Sequence, residues 1–357
     1  MKMKELLPDT LTLNGRQYDA AALREWAGQE TPFPDPLLGK LRAFLREWLD
    51  EDSRITLKTS GSTGPPKLIR IEKARMINSA RLTGDFFGLK PGMKALLCLS
   101  PDFIAGKMMI VRAMLLGLDL VTTHVEANPV KELDQTIHFT AMVPLQVAGI
   151  LQHNPQKFSL LPSLIIGGGP LPPSLEAQLQ GVSTRCWHTY AMTETLSHVA
   201  LRAINGPGRS EWFKPMEGVS VALDARGCLL IDAPALAPGK VITNDLAELD
   251  GQRFRILGRI DDVIISAGHK LHPALLEQKI GRVVTTPFFL AAEPHPRAGQ
   301  RLVLYLEGDF NEKNTSALMD QLKALLEAHE LPRKILSIPR FKYLESGKID
   351  RRGSIAS

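Results

Sequence analysis

The chain runs to 357 residues, 44% hydrophobic and 23% charged, with 43 Lys+Arg against 38 Asp+Glu for a formal net charge of +5. That is a globular composition long enough for two domains. Its mild basic bias suits small anions such as nucleotides and carboxylates, not nucleic acid, for which an Arg/Lys stripe interleaved with aromatics is lacking.

Cys98, Cys186 and Cys228 are scattered and form no CxxC pair, which argues against a zinc site and fits a reducing cytoplasm. The first residues lack the apolar core of a signal peptide. The longest apolar run, around Met108 to Leu118, contains Arg112 and falls short of a membrane span.

Residues 1–53 read as a short lead-in with a helix over 37–49, where Leu38, Leu41, Phe44, Leu45 and Trp48 recur at helical spacing. Trp48 is expected in the core. A short strand over 54–57 precedes Thr59-Ser60-Gly61-Ser62-Thr63-Gly64-Pro65-Pro66-Lys67, and another over 68–71 follows it. Glycines let backbone N–H groups turn inward, hydroxyls add donors and Lys67 adds a charge, a set suited to a phosphate chain. It is not a Walker A loop, because proline stands at position 66 where glycine is needed. The same composition also suits a plain surface loop.

Helices are expected over 73–87, 103–116, 129–135, 144–152 and 172–180, alternating with strands over 94–99, 118–123, 137–143 and 163–166. Such alternation predicts a parallel sheet covered by helices on both faces, with ligands at the carboxyl ends of its strands. Gly167-Gly168-Gly169-Pro170 stands at one such end, where a tight turn alone would also explain it. Tyr190-Ala191-Met192-Thr193-Glu194 closes the next strand, offering a ring that can stack on a base, a hydroxyl for a phosphate and a carboxylate for Mg²⁺.

Residues 205–240 suggest a small antiparallel subdomain, with strands over 219–223 and 228–232. Asp245, Arg259 and Asp261 follow; an Asp can accept both hydroxyls of a ribose and an Arg can reach the same sugar, or Arg259 and Asp261 form a local ion pair. From about 262 a smaller unit is expected, with helices over 273–280 and 314–329 and strands near 288–292 and 301–307. Ser346-Gly347-Lys348-Ile349-Asp350-Arg351-Arg352 ends the chain with a basic cluster that spacing alone would leave solvated.

Taken in order, the Thr59–Lys67 loop, the Tyr-x-x-Thr-Glu stretch, Gly258-Arg259-Ile260-Asp261-Asp262 and Gly347-Lys348-Ile349-Asp350-Arg351 resemble the adenylate-forming superfamily of acyl/aryl-CoA ligases, adenylation domains and luciferases. The likeness spans roughly Ile55 to Arg352, and Tyr190 to His198 is most similar to the o-succinylbenzoate–CoA ligases. The resemblance implies an α/β fold. Its large N-terminal domain (1–260) has mixed and parallel sheets plus the antiparallel subdomain, and a smaller mobile α+β lid spans 261–357.

The resemblance also implies an ATP- and Mg²⁺-dependent ligase that joins a carboxylic acid to coenzyme A. Thr59, Ser60, Gly61, Ser62, Thr63, Gly64 and Lys67 would hold the phosphates, Thr193 would contact phosphate and Glu194 would ligate Mg²⁺. Gly168, Gly169 and Tyr190 would frame adenine, and Asp245 and Arg259 would bind ribose. Asp261 would be the hinge, Gly268 would line the pantetheine tunnel and Lys348 would enter the site for adenylation. Phe103, Ile104, Val143, Met192, Ser197 and His198 are the acyl-site candidates, and His198, Lys107 and Arg202 the candidates for a second substrate carboxylate.

Three positions depart from the usual pattern: Ala191 and Asn244 replace glycines, and Leu275 stands where glutamate often follows the proline. The stretch before the phosphate loop is shorter than in most relatives, so a subdomain walling the acyl pocket is expected to be reduced. The sequence leaves open another aryl- or acyl-CoA ligase, a non-catalytic nucleotide-binding relative, and a homodimer.

Overall fold

The computed structural model describes residues 7–29, 35–58, 68–296, 298–310, 312–343 and 349–356. Two compact units emerge: Met1–Pro170, Gln178–Val221 and Ile231–Val241 form one, and Leu171–Ala177, Ala222–Leu230 and Ile242–Ser357 the other.

The first unit opens with strands β1 (Leu11–Leu13) and β2 (Arg16–Tyr18) and helices α1 (Ala20–Gly28) and α2 (Pro36–Trp48). A hairpin of β3 (Arg54–Lys58) and β4 (Leu68–Glu72) follows, then α3 (Lys73–Phe87), β5 (Lys94–Leu97), α4 (Ile104–Leu116), β6 (Asp119–Thr122), β7 (Phe139–Met142), α5 (Pro144–His153) and β8 (Ser163–Ile166). After α6 (Pro173–Gln178), all but the last residue of which belongs to the second unit, come β9 (Arg185–Ala191), β10 (His198–Ala203) and β11 (Lys214–Pro215).

Nine strands make one sheet in the order β11-β10-β9-β8-β7-β5-β6-β1-β2. From β9 to β1 neighbours run parallel, while β10, β11 and β2 are antiparallel to theirs. The central strands are short apolar runs such as Leu164-Ile165-Ile166, as expected of strands covered on both faces. Helix α4 is buried from Gly106 to Met114, the pattern of a helix enclosed on all sides.

Residues 11–48 are therefore more than a lead-in. Strands β1 and β2 extend the main sheet, and Trp48, 0% exposed, donates its indole N–H to the Pro8 carbonyl at 3.1 Å. The helix expected over 129–135 is instead a pair of turns, Lys131 N–H to Asn128 O and Leu133 N–H to Val130 O. The Thr123 hydroxyl donates at 2.9 Å to the Pro129 carbonyl, the acceptor that a helix would have given to Leu133 N–H. Val130 and Leu133, spaced by three, bury themselves through those turns.

Strands β12 (Ser220–Leu223), β13 (Cys228–Asp232), β14 (Val241–Asp250) and β15 (Arg253–Arg259) lie side by side in that order. The antiparallel piece thus reaches well past residue 240. Most of its residues belong to the second unit, which continues with β16 (Ile264–Ser266), β17 (His269–Leu271), α7 (Pro273–Ile280), β18 (Phe288–His295), β19 (Gly299–Glu307), α8 (Glu312–Leu325), β20 (Lys334–Ile338) and α9 (Arg351–Ile355). Its sheet, β17-β16-β19-β18 with β20 beside β19, packs Leu302, Leu304 and Leu306 against Leu276, Ile280 and Leu322. Among the described residues no helix is long and apolar enough to cross a membrane.

Candidate active site

In the first unit the candidate residues Gly168, Gly169, Tyr190, Thr193 and Glu194 gather at the carboxyl ends of β8 and β9. Because Ile166 pairs with His188 in parallel register, the glycines after β8 lie beside Thr189 and Tyr190. The fit there is close: a Cβ on Gly167 would come 2.3 Å from Thr189 Oγ1. Gly168 has φ +81°, a left-handed conformation natural to glycine, and a Cβ there would meet Val143 at 3.2 Å. Gly169 O lies 3.3 Å from His188 Nε2. Tyr190 is half-buried, edge-on to Phe213 with ring centroids 6.0 Å apart.

Beyond β9 the chain makes a tight 3₁₀ turn, Thr193–Thr195. Met192 N–H donates to Thr195 Oγ1 at 3.3 Å, and Leu196, wholly buried, leaves the turn at φ +67°. A non-glycine residue held there is strained, and burial of its side chain is what enforces it. Thr193 is half-buried and Glu194 exposed. Arg75 on α3 braces the turn, with Nη2 donating to the Glu194 carbonyl at 3.1 Å and Nε to the Leu236 carbonyl.

Arg112 is 1% exposed in the middle of α4. Its Nη2 donates to Ser197 Oγ at 2.9 Å and its Nη1 faces Met109 Sδ at 3.7 Å. Nε is buried without an acceptor, and no carboxylate among the described residues pairs with the guanidinium. Burial pushes its pKa down to about 9, which still leaves it charged at neutral pH.

The neighbouring bonds have one consistent direction. Thr83 Oγ1 lies 3.0 Å from the Ser79 carbonyl and donates to it, so Thr83 accepts from His198 Nε2 at 3.3 Å. His198 Nδ1 then accepts from Ser197 Oγ, also at 3.3 Å. Burial and, secondarily, the Arg112 charge push His198 down to about 3, so it is neutral in the folded protein.

The other candidates for a second carboxylate are already engaged. Lys107 Nζ is 3.7 Å from Glu47 and sits over the Phe44 ring, while Arg202 donates to the Ser210 carbonyl at 3.2 Å. Phe103 stands at the start of α4, 37% exposed.

In the second unit Asp245 and Arg259 face each other across β14 and β15, with Nη1 3.4 Å from Oδ1. Arg259 Nη2 also donates to Asp261 at 2.8 Å. Gly268 (φ +84°) ends the turn between β16 and β17, with nothing within 4 Å of where a Cβ would stand. Thr59, Ser60, Gly61, Ser62, Thr63, Gly64, Lys67 and Lys348 lie outside the described residues. A single exposed carboxylate such as Glu194 suits Mg²⁺, an ion held largely by substrate phosphates and water.

A parallel sheet that ends in a glycine loop beside an aromatic–hydroxyl–carboxylate turn is the architecture of an adenylate-forming enzyme. The family model for AMP-binding enzymes matches residues 12–233, and the chain belongs to that family. It is 29% identical over 349 residues to a probable 2-succinylbenzoate–CoA ligase of Mycobacterium tuberculosis, covering 89% of this chain and 87% of that one. It is 35% identical to an acyl-CoA synthetase (AMP-forming)/AMP-acid ligase II-like protein of Dyadobacter fermentans, with TM-score 0.62 over 93% of this chain and 97% of that one. The fold also matches the o-succinylbenzoate coenzyme A synthetase of Bacillus subtilis in complex with ATP and magnesium ion, at TM-score 0.77 and 16% identity over 98% and 97% of the two chains.

Proposed function

We propose that this protein is a cytoplasmic, ATP-dependent acid–CoA ligase whose acid is o-succinylbenzoate, an aromatic carboxylate bearing a second carboxylate on a flexible arm. The observation that carries the substrate assignment is Arg112, a buried cation with no anionic partner among the described residues. Burying an uncompensated charge costs several kcal/mol. A substrate carboxylate reaching Nε and Nη2 beside the Ser197 hydroxyl would supply the missing counter-charge in the bidentate geometry that guanidinium favours. A neutral His198 keeps a second cation from competing for that anion. The ligases named for this acid among the relatives support the assignment.

A carboxylate of the acid attacks the α-phosphorus of ATP and pyrophosphate leaves. Two anions must approach, so the barrier is largely electrostatic. Lys67 and the phosphate loop hold the leaving phosphates, Thr193 bonds phosphate, and Lys348 neutralises charge at the reacting centre. Glu194 would hold Mg²⁺, which when bound adds further positive charge against the phosphates. Tyr190, Gly168 and Gly169 seat adenine, and Asp245 and Arg259 hold ribose. Coenzyme A thiol, entering past Gly268, then attacks the acyl carbon and displaces AMP. Asp261 is the pivot on which 261–357 turns between the two half-reactions. The three free, buried cysteines support the compartment.

Pyrophosphate release by the purified protein, screened over o-succinylbenzoate, benzoate, cinnamate and fatty acids, tests the proposal. Release with the first acid, followed by CoA-dependent AMP release, is the expected result. Release with a monocarboxylate alone would move the protein to another acyl-CoA ligase, and ATP binding without turnover on any acid would make it a non-catalytic relative.

A further inference from the structure

Asn244 occupies a position where the adenylate-forming relatives usually carry glycine, and both the oxygen and the nitrogen of its side chain are hydrogen-bonded. The network begins at the turn between β12 and β13, where Asp224 accepts the Arg226 and Cys228 N–H groups at 2.8 and 3.0 Å. The same carboxylate takes Arg226 Nε at 2.9 Å, which fixes the guanidinium plane. The far edge of that plane reaches β14, with Nη2 donating to the Thr243 carbonyl at 2.8 Å and Nη1 to Asn244 Oδ1 at 3.0 Å. With Oδ1 committed, the amide turns its NH₂ to Asp261 Oδ2 at 3.1 Å. Arg259 Nη2 donates to that same oxygen at 2.8 Å, and Arg259 Nη1 faces Asp245 Oδ1 at 3.4 Å.

Donors and acceptors therefore alternate without a break from Asp224 to Asp245. The outer members need that help. The Asp261 side chain is 49% exposed and that of Arg259 41%, and an exposed ion pair on its own fixes little. Glycine at 244 could make neither the bond to Arg226 nor the bond to Asp261.

On the ligase reading above, we infer that Asn244 and Arg226 are positioning residues for nucleotide binding. They hold Asp261 against Arg259, so that Arg259 presents Asp245 ready-oriented for the ribose. Neither residue touches the nucleotide. Both act by lowering the ordering cost of the groups that do.

The test is calorimetric titration of the full chain with ATP, in a double-mutant cycle of Asn244→Gly and Asp261→Ala. Asn244→Gly should weaken ATP about tenfold in the wild-type background, the size of a lost hydrogen bond to a charged group. It should have almost no effect once Asp261 is alanine. Asn244→Asp keeps an acceptor for Arg226 but sets a second carboxylate against Asp261, among Arg226, Arg259, Asp224 and Asp245. Its affinity should fall below that of the glycine variant at pH 8 and recover as pH drops far enough for one of the pair to take a proton. Arg226→Lys should retain part of what Arg226→Ala loses.

Additive losses in the cycle, or a pH-independent Asn244→Asp, would overturn the inference and leave the ligase proposal standing. A wild-type chain that does not bind ATP at all would remove both.

Discussion

Arg112 Nη2 donates to Ser197 Oγ across 2.9 Å, joining the centre of α4 to the residue just before β10. This contact sets a cation that has no carboxylate partner among the described residues at the head of a directed chain of hydrogen bonds that continues through His198 and Thr83 to the Ser79 carbonyl. Arg112→Met removes the buried charge and keeps much of the volume. It should raise thermal stability, by about 1–3 kcal/mol on the precedent of buried charges replaced by apolar side chains. The same variant should lower kcat/KM for o-succinylbenzoate about a hundredfold or more and affect turnover of plain benzoate far less. A variant that loses both stability and discrimination would make Arg112 a structural residue.

His198 makes the fold acid-sensitive. Its unfolded imidazole takes a proton near 6.5, whereas the folded one resists until about 3. Between those values the unfolded chain binds more protons, so stability present above pH 6.5 is lost as pH falls toward 3. Denaturant midpoints measured from pH 7 to 4 should decline less steeply in His198→Gln than in the wild type. Parallel curves would show that His198 does not carry this dependence.

The thiols should be silent. Cys98, Cys186 and Cys228 are all buried, and burial pushes the first two up to about 12 and raises the third. A thiol reagent at pH 8 should label none of them in the native protein and all three in denaturant. Rapid native labelling at any one would contradict that burial.

Asp245 should matter to nucleotide binding more than to folding. Asp245→Ala leaves Arg259 its bond to Asp261 and should raise the KM for ATP by about tenfold or more through lost ribose hydrogen bonds, with a melting temperature within a few degrees of wild type. Unchanged KM for ATP would remove Asp245 from the ribose assignment.

The parallel sheet was legible in the sequence because its central strands are short apolar runs separated by helix-period segments. The strand-end placement of Gly168, Tyr190 and Thr193 followed from that topology. The Leu11–Leu13 and Arg16–Tyr18 strands are not legible, since strands of three residues carry too little alternation to separate from loop. Arg112 gave a signal that was read only as an interruption of an apolar run. A lone arginine inside such a run marks either a helix that reaches solvent or a buried charge that awaits a partner, and only packing separates the two. The Arg226–Asn244–Asp261 network left no local pattern, because its members come from a turn, a strand and a strand end that tertiary structure alone brings together.

Arg75 extends one flat cation between the Glu194 and Leu236 carbonyls. The turn that carries the Glu194 carboxylate is thereby tied by its backbone to a loop far downstream, through a helix that precedes both in the chain. Any chimera that transplants the 192–197 turn into a homologue, or replaces residues 233–237, must therefore bring this helix along. Otherwise the transplanted turn arrives without its strut, with every recognisable motif residue still in place.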